Sequence, residues 1–97
     1  MTNIIFGKTA ERAINKLEEI KIIFQECGWD IINVKELKNK KSITFVNHEQ
    51  WVTWVALDAD LSRTIGKRCH NVYIDPLITD PALIAHLRSC EIKALKF

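Results

Sequence analysis

This sequence is poor in the features that usually announce a function. Its three cysteines, Cys27, Cys69 and Cys90, are odd in number and show no CxxC spacing. That excludes a complete disulfide framework and fits reduced thiols in a cytoplasmic setting. With only three glycines and two prolines, the chain carries no linker, low-complexity tract or repeat. No apolar run approaches the roughly 18 residues that a membrane helix needs. A basic segment followed by an apolar core, the mark of a secretory signal, is missing as well. The expectation is a cytoplasmic protein that makes no membrane contact. Charge of one sign is also scarce: 14 basic against 12 acidic residues leave a net +2, whereas a dedicated phosphate binder is usually more lopsided. No serine or cysteine nucleophile stands in an elbow or a dyad, so neither an enzyme nor a cofactor is expected.

What is present is a single domain over residues 1–97. Its apolar fraction of 47% is enough for one core without staples. Asn3-Ile4-Ile5-Phe6 reads as a strand closed by Gly7. From Thr9 onward, Ala10, Ala13, Ile14, Leu17, Ile20, Phe24 and Cys27 follow three-and-four spacing, which predicts a helix capped by Thr9 and ended by Gly28. Residues 30–37 and 42–46 are rich in β-branched side chains and flank Lys38-Asn39-Lys40-Lys41, the pattern of a hairpin. A second helix is expected from Asn47 or His48 through Trp51, Trp54 and Val55 to Leu57. A further helical turn is expected at residues 61–65, stopped by Gly66. Residues 72–75 read as a strand. Asp80-Pro81 opens a last helix, with aspartate at the cap and proline at the first helical position. Residues 92–97 either extend that helix or form a final strand. The expected class is α/β (or α+β), a three- to five-stranded sheet with about three helices.

The segment Arg68-Cys69-His70-Asn71-Val72-Tyr73-Ile74-Asp75-Pro76 delivers an acidic residue to the carboxyl end of a strand, where open α/β sheets place their chemistry. With Lys41-Ser42-Ile43-Thr44-Phe45-Val46-Asn47 and Gly66-Lys67-Arg68 before it, it resembles the middle of a P-loop NTPase of the helicase or terminase kind. The resemblance implies that Asp75 is the magnesium-associated acidic residue and that Gly7-Lys8-Thr9 is the tail of the phosphate loop. Thr2 stands where that loop needs its first glycine, and Pro76 stands where a second acidic residue is usual. What the resemblance implies is therefore a degenerate core. The compact, lysine- and isoleucine-rich chain is also similar in style to accessory proteins of bacteriophages and mobile elements.

Three other groups compete for a role. His86 and Cys90, one helical turn apart, join Cys69 and His70 as candidate metal ligands, with Asp75 as a carboxylate candidate; a core thiol at Cys90 and a rim histidine at His86 are the simpler reading, and no metal is expected. Lys38, Lys40, Lys41, Arg63, Lys67 and Arg68 form a candidate nucleic-acid surface if the hairpin tip lies near the Gly66 loop. Trp51, Trp54 and Val55 would share one helix face and are the candidate protein interface, because tryptophan buries much area at small entropy cost. The leading expectation is a non-catalytic protein-binding module, a regulator or inhibitor with a protein partner or a second copy of itself. The alternative is a nucleic-acid-binding module built on the lysine-rich hairpin and the loop from Arg63 to Arg68.

Overall fold

The computed structural model of the chain describes residues 1–60 and 68–91. Strand β1 (Thr2–Gly7) leads into helix α1 (Ala10–Glu26). Three strands follow, β2 (Asp30–Leu37), β3 (Lys40–Asn47) and β4 (Gln50–Asp58), then β5 (Asn71–Ile74) and helix α2 (Pro81–Arg88). The strands form one mixed sheet in the order β2-β3-β4-β1-β5. The β2-β3-β4 part is an antiparallel meander, and β1 runs parallel to both β4 and β5. Among the described residues, five strands and two helices make this a small α+β domain. No helix among these residues is long and apolar enough to cross a membrane.

Helix α1 forms where its spacing predicts. Thr9 caps it, its hydroxyl accepting from the Arg12 N–H at 3.2 Å, and Gly28 takes φ 87° just past its end, a conformation that favours glycine. Ala13 and Leu17 are buried against Ile5, Ile43, Phe45, Trp54 and Ala56 on one face of the sheet. On the opposite face Ile4, Phe6, Leu57 and Val72 pack with Cys69, Leu87 and Cys90. Because side chains alternate along a strand, β1 sends Ile5 to the first layer and Ile4 and Phe6 to the second. Full burial of Leu17 and Phe6, both 0% exposed, stabilises the fold by about 1.5–3 kcal/mol each. Helix α2 starts as expected, with the Asp80 carboxylate accepting from the Ala82 N–H at 3.0 Å and Pro81 in the first turn.

One expected element is different in kind. The second helix, placed from Asn47 or His48 to Leu57, is the strand β4. Asn47 pairs with Gln50 across a tight turn, and His48 takes φ 54° at its tip. The second half of the strand, Trp54-Val55-Ala56-Leu57, is covered on both faces, Trp54 and Ala56 packing into one core layer and Val55 and Leu57 into the other, so consecutive residues rather than every third or fourth are apolar. The helical turn expected at residues 61–65 and the tail at 92–97 lie outside the described residues.

Candidate functional site

The connections leaving β1 and β5 diverge. From β1 the chain enters α1 on one face of the sheet, while from β5 it proceeds to α2 on the other. Their carboxyl ends lie side by side, with Phe6 level with Ile74, and such a divergence opens a crevice at the strand ends. Asp75 sits there. Its Oδ2 accepts from Arg12 Nε at 2.6 Å and from the Lys8 N–H at 3.0 Å. Its Oδ1 accepts from Arg12 Nη2 at 2.9 Å and from the Leu77 N–H at 3.0 Å. The hydrogen bonds from Arg12, aided by the Leu77 and Lys8 amides, hold this carboxyl far below the usual carboxylate range. It is a fixed anion, not a proton acceptor at neutral pH.

Gly7 makes the crevice tight. A Cβ added there would lie 2.5 Å from the Thr9 carbonyl oxygen and 2.7 Å from the Ala13 nitrogen, so only glycine lets α1 start this close to β1. The Gly7-Lys8-Thr9 turn and Asp75 are thus neighbours, though all four donors around Asp75 come from the protein itself. Beside them opens a cleft of about 670 Å³ to which Arg12, Lys16, Glu19, Tyr73, Asp75 and Arg88 contribute.

The expected aromatic trio is divided by the strand. Trp54 is buried beneath α1, 7% exposed, with its ring 5.2 Å from that of Tyr73. Val55 points to the opposite layer. Trp51, on the same side as Val55 by alternation, stays 60% exposed. The three do not form one surface.

The candidate nucleic-acid residues are also spread. Lys38 is exposed in the turn between β2 and β3. Lys41 faces α1 and is ion-paired with Glu18 and, at 2.9 Å, with Glu36. Lys40 is level with Leu57, at the carboxyl ends of β4 and β1, while Arg68 precedes β5 at the other end of the sheet. The hairpin lysines and Arg68 are therefore not brought together. Arg63 and Lys67 lie outside the described residues.

Cys69 and Cys90 are adjacent in the core, with the Cys69 N–H donating to the Cys90 carbonyl at 3.0 Å. Burial pushes both thiols up. His70 is exposed and accepts the Thr2 N–H through Nδ1 at 3.0 Å, and His86 lines a separate cleft with Asp60 and Asp80. Among the described residues no three histidine, cysteine, aspartate or glutamate side chains gather in a metal-holding group.

The strand β2 is a site the sequence did not single out. Among the described residues it has β3 on one side and no strand on the other. Seven of its eight residues are exposed, including Ile32 at 46%, Val34 at 47% and Leu37 at 69%. Its β-branched run was legible, but its place at the sheet edge depends on strand order, which no local signal carries. Searches among known protein families, curated proteins and solved structures find no match for this chain.

Proposed function

We propose that this chain is a protein-binding module that works by strand addition at β2, and that the occupant of this edge is a second copy of the chain. The carrying observation is the edge itself: an eight-residue strand with three exposed aliphatic side chains and, among the described residues, no strand on its outer side. Long edges of this kind attract another strand unless charge, proline or a covering element blocks them. A bulge between Ile31 and Asn33 bends the start of β2, but the run from Asn33 to Leu37 is regular.

The charge pattern of β2 favours its own copy. In an antiparallel pair with Val34 on the two-fold axis, Val34 meets Val34, Asn33 meets Lys35, and Asp30 approaches Lys38 of the other copy. No like charges oppose each other. Shifting that axis by one residue places Asp30 against Glu36 or Lys35 against itself. Opposite-charge and β-branched pairs across strands contribute about 0.2–1 kcal/mol each, and like charges directly opposite destabilise. Asp75, with four protein donors on its two oxygens, supports binding over catalysis. The nucleic-acid reading has less beneath it, because Lys41 is already neutralised and Arg68 lies at the far end of the sheet.

Sedimentation equilibrium of the wild type and of Val34→Lys tests the proposal. The expected result is a concentration-dependent dimer that the lysine variant abolishes without loss of fold. A wild type that stays monomeric up to millimolar concentration, or a dimer indifferent to Val34→Lys, overturns it.

A further inference from the structure

The cleft at the carboxyl ends of β1 and β5 has no part in strand addition at β2. Three cations, Arg12, Lys16 and Arg88, line it against two carboxylates, Glu19 and Asp75. Both carboxylates are already engaged, Asp75 by Arg12 and Glu19 by Lys16 at 3.0 Å. Arg12 gives two of its guanidinium N–H groups to Asp75. A guanidinium carries five, so three remain, and Asp75 fixes the plane in which they point. Arg88 enters the same cleft from α2 and takes no partner among the described residues. The floor carries Tyr73, half exposed and tilted against Trp54 at 5.2 Å between centroids and 38° between planes, with no hydrogen bond to its hydroxyl among the described residues.

We infer that this cleft is a receptor for a small organic oxyanion, a carboxylate or a phosphate attached to a flat apolar body. The oxyanion sits between Arg12 and Arg88, and the flat body lies against the Tyr73 ring. Planar guanidinium groups suit such an anion because their paired N–H groups match its oxygens. An aromatic ring held by a second ring offers a preorganised apolar face at little entropy cost. Asp75 is a positioning residue: it touches no ligand, and it orients Arg12 while its own lone pairs are filled.

Phenyl phosphate, benzoate and inorganic phosphate are the probes, titrated into the ¹⁵N-labelled full chain. Saturable shifts are expected at the amides of Arg12, Lys16, Tyr73 and Ile74 with phenyl phosphate or benzoate, and the tighter of the two identifies the oxyanion. Inorganic phosphate is expected to bind at least about tenfold more weakly, a difference of one good contact. Arg88→Gln, a change at an exposed side chain that leaves the fold intact, is expected to weaken the organic probes about tenfold. Tyr73→Leu is expected to weaken them and leave inorganic phosphate unchanged. Absence of saturable shifts with either organic probe overturns the inference. Binding that ignores Arg88→Gln, or inorganic phosphate binding as tightly as phenyl phosphate, overturns it too.

Discussion

Arg12 and Asp75, 63 positions apart in sequence, are joined by two parallel hydrogen bonds, Nε to Oδ2 at 2.6 Å and Nη2 to Oδ1 at 2.9 Å. The pair ties the first turn of α1 to the loop that follows β5. Since Asp75 also takes the Lys8 and Leu77 amides, one carboxylate closes three segments. Replacing it with Asn removes the charge that makes those bonds strong. Asp75→Asn is expected to destabilise the fold by about 1–3 kcal/mol, measured by urea unfolding.

The same pair sets the acid response. The folded Asp75 carboxyl lies below the unfolded one because Arg12 hydrogen-bonds its charged form. Its stabilising contribution is thus complete above the unfolded value of about 3.9 and is lost as the pH falls from there through the lower folded value. Unfolding free energy measured from pH 7 downward is expected to drop less steeply below pH 4 in Asp75→Asn than in the wild type. Equal slopes would rule out this linkage.

Gly7 should tolerate no side chain. A methyl group would press on the Thr9 carbonyl and the Ala13 backbone, neither of which can swing away as a side chain does. Gly7→Ala is expected to cost about 1–3 kcal/mol by overpacking, and calorimetry reads it as a lowered Tm.

Trp51 and Trp54 should separate in their energetics as they do in space. Trp54→Ala empties a site between α1 and the sheet and is expected to cost about 3–5 kcal/mol. Trp51→Ala, at an exposed position, is expected to stay within about 0.5 kcal/mol of the wild type. Chemical denaturation of the two variants measures both. A helix over this segment would have given the two tryptophans a common face and similar costs.

That contrast marks where the sequence was and was not legible. Strand β1, helix α1, the β2-β3 hairpin and the Asp80-Pro81 helix start were readable because each has a local cause: an apolar run, a three-and-four stripe, a polar turn, a cap. The turn is shorter than the expected four-residue loop, because Lys40 and Lys41 already pair with Leu37 and Glu36 in the strands. The segment from Asn47 was misread because Trp51, Trp54 and Val55 mimic helical spacing when seen alone. The intervening Val52, Thr53 and Ala56 carry the strand. Asp75 was readable as the end of a strand, but nothing local marks Arg12 as its partner. Its pairing depends on β5 lying next to β1, and strand order is a long-range outcome. The exposure of β2 was hidden for the same reason.

The cysteines offer a check on the core. Cys27 is exposed, whereas Cys69 and Cys90 are buried, with thiols pushed up by desolvation. Thiolate is the reactive form. Titration with a thiol reagent near pH 8 is expected to show fast labelling of Cys27 in the native protein, with Cys69 and Cys90 reacting only on unfolding. Fast labelling of all three would place the second core layer in error.

We propose that the outer edge of β2 is a pairing surface for a second copy, and amide hydrogen exchange reads that edge residue by residue. In wild-type protein, the β2 amides that β3 does not bond are expected to gain protection as concentration rises, while those of Val34→Lys exchange at the unprotected rate throughout. Unprotected β2 amides in the wild type at every concentration would contradict the claim.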